Sequence, residues 1–180
     1  MKVLVSAAVV LVLFALGGLI FIYSGAFDMA ANHPHSNLTL WFINKTVTQS
    51  VKHRSRGIRP PELSNLTMVK SGANHFQQMC VQCHAGPGVE RSEAGDGLYP
   101  QGPDLAGANN RWTPGDLFWI TKHGLKMTGM PAWGKTASDE EIWAMVAFME
   151  RLPAISPEKY QQMLRDAETD ETSEQNSSKP

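Results

Sequence analysis

The chain has 180 residues, with 16 Lys and Arg against 17 Asp and Glu, so its formal net charge is −1 at pH 7. That length suggests one ordinary domain with appendages. The near balance of charge argues against a nucleic-acid binder, which gathers cations to meet phosphates.

Val3 to Tyr23 is an almost unbroken apolar run, which as a helix reaches about 32 Å and spans a bilayer core. A cleaved signal peptide would have a shorter apolar stretch and a small-x-small triplet, of which Ser24-Gly25-Ala26 is an imperfect version. Residues 1–25 are therefore expected to be a retained transmembrane anchor, with a signal peptide as the alternative. Lys2 and the amino terminus precede the run, and no Lys or Arg follows until Lys45. By the positive-inside rule this predicts a single pass through the cytoplasmic membrane, with the remainder on the periplasmic or outer side.

Residues 26–64 read as a linker. Asp28 to Asn37 is polar and contains His33-Pro34-His35, where the proline and a lack of nearby carboxylates or cysteines favour a loop over a metal site. Trp41, Val47 and Val51 at roughly helical spacing predict a short amphipathic helix near the membrane, ended by Lys52, His53, Arg54, Arg56 and Arg59 before Pro60-Pro61. Those cations suit a helix C-terminus, and equally a lipid or partner surface.

A compact domain is expected over residues 65–153. Its first helix should span Thr67 to Gln82, with Phe76 and Met79 inward and Gly72 where a crossing helix approaches. A Gly/Pro-rich region from Ala85 to Pro114 follows, of the kind that wraps a ligand. Thr113-Pro114-Gly115-Asp116 opens a second helix with Leu117, Trp119 and Ile120, ending at His123-Gly124. Ser138 and Glu141 frame the start of a third, which presents Ile142, Met145, Val146 and Met149, widened by Trp143 and Phe148, and stops before Pro153. From Pro157 a short polar helix fades out, so residues 154–180 are expected to form a polar, largely disordered tail.

The chemistry sits at Cys80-Val81-Gln82-Cys83-His84, which contains the only two cysteines. This spacing is the attachment signature of a c-type haem: residues three apart share a helix face, so both thiols can form thioethers along one porphyrin edge, with His84 beneath the iron. A structural zinc site would need a second pair of ligands, and none is visible at matching spacing. A thioredoxin-like dithiol would need a strand-to-helix junction, whereas the flanks read as helix and loop. A haem would also supply apolar bulk to a core of only about 90 residues.

An iron held by His84 needs a second ligand or an open position, and that choice separates electron transfer from ligand chemistry. Met130, set between Gly129 and Pro131, is the expected second ligand; Met127, His123 and an open site are the alternatives. The carbonyl of Pro103 is the expected acceptor for the outward ring nitrogen of His84, with Leu105 against the porphyrin. Trp112, Trp119 and Trp133 are expected in the haem pocket or core, Trp133 being the first choice to reach a propionate.

Together these residues resemble a class I c-type cytochrome of the bacterial, monohaem, membrane-anchored kind, over about Ser71 to Leu152. The match runs through Gly72 and Phe76, which in that family meet the last helix, here at Met145 and Phe148; then Cys80, Cys83 and His84; Pro103 and Leu105; Met130; and the closing helix from Trp143. The resemblance implies an all-α fold, a small domain wrapped around one covalent haem c behind an N-terminal transmembrane helix. It implies a one-electron carrier rather than an enzyme, with redox protein partners such as a dehydrogenase or oxidase, and with neither nucleic acid nor a small-molecule substrate. A cytochrome subunit of a larger oxidoreductase complex is a second reading, and a haem sensor or catalyst with open iron a third. Lys122, Lys126 and Lys135 flank the Met130 side, where they could steer an acidic partner or form ordinary solvated surface.

Overall fold

The computed structural model describes residues 1–107 and 112–177, with side chains in the last helix described as far as residue 167. Parts of the expected Ala85 to Pro114 loop and of the polar tail fall outside those limits. The chain divides into two units, residues 1–34 and 35–180.

In the first unit, helix α1 (Lys2–Ser24) has no acidic residue and no buried one, and it ends at Gly25 with φ of 66°, a left-handed cap that glycine adopts without a Cβ penalty. It is long and apolar enough to cross a membrane. His33 faces the Asp28 carboxylate at 3.5 Å, which corrects the expectation that no carboxylate lies near that histidine.

The second unit is helical. Its elements are α2 (Asn37–Arg54), α3 (Leu66–Met79), α4 (Val81–His84), α5 (Glu93–Asp96), α6 (Pro114–His123), α7 (Asp139–Met149) and α8 (Pro157–Ser177). Among the described residues the only extended pairing is a bridge between Gly86 and Val89.

The central packing is α3 against α7. Val69, Ala73 and Phe76 recur at three- and four-residue spacing on α3, and Ile142, Met145, Val146 and Phe148 form the facing surface of α7; all are buried. Phe76 and Phe148 meet at 5.2 Å between ring centres. Each fully buried aromatic or branched side chain stabilises by about 1.5–3 kcal/mol. Ser138 starts α7 with a reciprocal cap: its hydroxyl accepts from the Glu141 amide, and the Glu141 carboxylate accepts from the Ser138 amide. Thr113 and Asp116 do the same for α6.

Beyond Pro153, helix α8 packs on this core. Tyr160, Met163 and Ala167 of α8 are buried, Tyr160 stacks on Phe148 at 5.7 Å, and its hydroxyl donates to Gln77 Oε1 at 2.7 Å. These residues, with Leu164 packed beside them, dock a helix that is otherwise mostly polar. Lys70 pairs with Asp166 at 3.4 Å on the same seam.

Helix α2 is also more than a linker element. Val51 and Ser55 are buried against α6, where the Asp116 carboxylate is 1% exposed. That carboxylate accepts from the Lys52 ammonium, from Ser55 Oγ at 2.5 Å and from the Thr113 amide at 2.8 Å. Lys52 also lies 5.6 Å from the Trp112 ring centre. Burial alone would raise the Asp116 pKa, but the Lys52, Ser55 and Thr113 hydrogen bonds outweigh it and hold the group at about 2. A carboxyl that titrates lower folded than unfolded contributes stability above its unfolded value, near 4, and loses that contribution as pH falls toward 2. Asp116→Asn is expected to cost about 2 kcal/mol at neutral pH and to flatten the loss of stability between pH 4 and 2. Chemical denaturation of both proteins across that range checks it; a parallel acid decline in the variant counts against the assignment.

Trp41 does not share the inward face with Val47 and Val51: it is 64% exposed. Six residues on a helix turn the side chain through about 600°, well away from Val47.

Candidate functional site

The helix expected through Gln82 breaks at Cys80, whose φ of −116° and ψ of −39° leave the regular helical geometry. The Cys80 amide donates to Phe76 O at 2.9 Å, and its own carbonyl accepts from the Cys83 and His84 amides at 3.1 and 2.9 Å. The chain thus changes direction just as the motif begins, and α4 carries it as a separate turn. Cys80 is buried and Cys83 half-buried. Burial, with a smaller contribution from neighbouring Cys83, pushes the Cys80 thiol up to about 12. A thiol kept neutral is a poor free nucleophile.

His84 Nδ1 lies 2.8 Å from the carbonyl oxygen of Pro103. A carbonyl only accepts, so Nδ1 carries the proton and Nε2 presents its lone pair. Burial lowers the His84 pKa, partly opposed by that hydrogen bond and reinforced by the Arg91 cation. A neutral imidazole with Nε2 free is the form a metal accepts.

The loop carrying Pro103 is held against the motif by close packing. A Cβ on Gly102 would fall 2.6 Å from Cys83 O, and one on Gly95 would fall 2.1 Å from Gln82 O, so α5 and the Pro103 strand of loop approach backbone to backbone. Arg91 bridges the two sides, donating through Nε to Cys83 O at 3.0 Å and through Nη2 to Gly102 O at 2.9 Å. Sequence reading passed over Arg91, because nothing in the loop's residue pattern marks the two carbonyls it meets. It also passed over Leu98, against which Gly129 packs so closely that a Cβ there would be 2.8 Å from its methyl carbons.

Met130 is half-buried in the segment after α6. Its amide donates to Thr128 Oγ1 at 3.1 Å and its carbonyl accepts from the Leu125 amide at 3.3 Å. Gly124, with φ of 64°, lets the chain fold back so tightly that a Cβ there would sit 2.7 Å from Met130 O. The two alternatives are placed differently. Met127 is 90% exposed, and His123 is exposed with its ring 5.0 Å from that of Trp119. Leu105 is half-buried against the core, and Trp133 is half-buried at the start of a short 3-10 turn over Trp133–Lys135. The structure therefore joins Cys83, His84, Pro103 and Arg91 directly, and brings the Met130 segment onto the same loop through Gly129 and Leu98. Of the three lysines read either as a steering set or as solvated surface, Lys122 is paired with Asp139 at 2.5 Å and lies over the Phe118 ring.

The donor set fits a covalent haem: two thiols within one turn, a neutral imidazole with its tautomer fixed, and a thioether on a separate, tightly held segment. Residues 67–149 match the family model described as cytochrome c oxidase, cbb3-type, subunit III. These residues form a class I c-type cytochrome domain. No curated protein and no solved structure matches the chain. The cytochrome domain belongs to a family that binds haem c covalently, and Cys80, Cys83 and His84 provide the Cys-x-x-Cys-His pattern that such attachment requires. Haem-based electron transfer is what a domain of this family does, and the apolar α1 fits a single-pass membrane protein.

Proposed function

We propose that the cytochrome domain carries single electrons between redox protein partners, with Cys80 and Cys83 as the thioether residues and His84 and Met130 as the two axial ligands. The observation that carries the reading is the fixed tautomer of His84: the Pro103 carbonyl occupies Nδ1 and leaves Nε2 as the donor. The haem supplies a reversible one-electron couple when bound. The chain's residues do the rest. Arg91 and Pro103 hold the imidazole side, the Gly124 and Thr128 turn holds Met130, and Leu105 and Trp133 cover the apolar surface and an edge. If His84 and Met130 both held the haem iron, no position on it would be left for a substrate, and the domain would act by electron exchange with a docked partner. The family's description as an oxidase subunit favours an oxidase as that partner, with the chain as a subunit of the complex. We place α1 in the cytoplasmic membrane with the haem domain on the outer side, since Lys2 precedes the apolar run and no cation follows it for 20 residues.

The purified protein is expected to keep its haem through denaturation in acidified acetone and to show, when oxidised, a low-spin spectrum with the near-infrared sulfur-to-iron band. A high-spin form that binds carbon monoxide quickly would replace this reading with that of a sensor or catalyst.

A further inference from the structure

Helix α2 has two unlike faces. The inward one, through Val51 and Ser55, is buried and is pinned by the Lys52 to Asp116 ion pair. Opposite lies an open groove along the helix, with Trp41 and Phe42 at one end, His53 and Arg54 at the other, and Lys45 between. Leu38, Trp41 and Phe42 are 74%, 64% and 63% exposed, an expense in water that the domain's own core does not require. The chain from Met29 to Pro61 contains no Asp or Glu, yet it carries Lys45, Arg54, Arg56 and Arg59 besides the engaged Lys52. Among the described residues no carboxylate forms an ion pair with any of those four.

We propose that this outward face of α2 docks on an anionic phospholipid surface, Leu38, Trp41 and Phe42 entering the headgroup and acyl boundary while Lys45 and Arg54 meet lipid phosphates. The groove offers apolar side chains at its Trp41 and Phe42 end and cations at Lys45 and Arg54, which complement the acyl and phosphate parts of a phospholipid. The tether agrees: only residues 25–36 separate α1 from α2, at most about 45 Å of extended chain, so an anchored protein keeps α2 within reach of the bilayer. A second copy of the chain is disfavoured as the occupant, because a twofold pairing would bring these cations against their own kind. The proposal rests on reading α1 as a membrane anchor.

The test uses the full haem-loaded chain in lipid nanodiscs made of phosphatidylcholine alone or with phosphatidylglycerol, each with acyl chains brominated as quenchers. Trp41 fluorescence is taken as the difference between the parent and Trp41→Phe. Quenching is expected to be at least about twofold stronger in the anionic discs, and Lys45→Glu with Arg54→Glu to abolish that difference. Equal quenching in both discs, free access of aqueous acrylamide to Trp41 in both, or shielding of Trp41 only in discs holding two copies would overturn it. Vesicle flotation separates this from the anchor reading. A chain that fails to insert but floats with anionic vesicles alone retains the α2 surface and removes the anchor, and one that floats with neither loses both.

Discussion

Gly72→Ala should cost the cytochrome domain about 3 kcal/mol or more, a fall in melting temperature on the order of 12–20 °C for a domain of this size. The added methyl would lie 1.9 Å from the backbone oxygen of Ala144, 2.5 Å from its carbonyl carbon and 2.9 Å from Phe148 Cβ. Two of those three atoms are main chain, so no rotamer change relieves the contact. Helix α3 would have to back away from α7, opening the seam where Phe76, Met145 and Phe148 are each fully buried. Separation also tilts the end of α3 that delivers Cys80, so the yield of covalently loaded protein should fall with the stability. Gly97→Ala is the matched control: its φ is −77° and the nearest atom to a new Cβ is 3.5 Å away, so it should stay within about 0.5 kcal/mol of the parent. Thermal unfolding of the three proteins decides the matter. A Gly72→Ala protein that melts with the control would mean that the α3 and α7 crossing is not what limits the fold.

That contact was legible in the sequence because a glycine inside a helical pattern, four residues before a buried phenylalanine, has few reasons to be there other than close approach. The attachment motif was legible for a different reason: its chemistry demands a fixed spacing, and no other cysteine was present to compete. The capping residues Thr113 and Ser138 were equally readable, since an unsatisfied helix terminus selects a short list of side chains. What escaped reading depended on tertiary partners. Tyr160 and Met163 look like isolated apolar residues in a polar helix until Phe148 and Gln77 are placed opposite them. Lys52 looks like one of several juxtamembrane cations until Asp116 is found buried beside it. Arg91 and Leu98 sit in a loop with no periodicity, so only the folded chain reveals the carbonyls and the glycine that they meet. The break at Cys80 escaped as well, because helical residues continue on both sides of it and nothing in their propensities marks the turn.

Met130→His should lower the midpoint potential on the order of 0.1 V or more, within the range of about 0.8 V over which axial ligands act. A thioether is neutral and soft and favours the reduced iron, whereas an imidazole donates more strongly and favours the oxidised one. The segment holding residue 130 is tied at its amide by Thr128, at its carbonyl by Leu125 and at its flank by Gly129 against Leu98. A histidine placed there inherits a backbone whose position does not depend on the side chain, so the substitution changes the donor more than the fold. Met127→His provides the comparison: residue 127 is 90% exposed, with φ of 61°, and a ligand there would have to drag its backbone inward before binding. Its potential should match the parent's, and the near-infrared sulfur-to-iron band should survive in Met127→His and vanish in Met130→His. Redox titration with spectra recorded on both variants separates the two positions. If the band and the potential move with residue 127 instead, the second ligand is Met127, and the half-buried thioether of Met130 is packing.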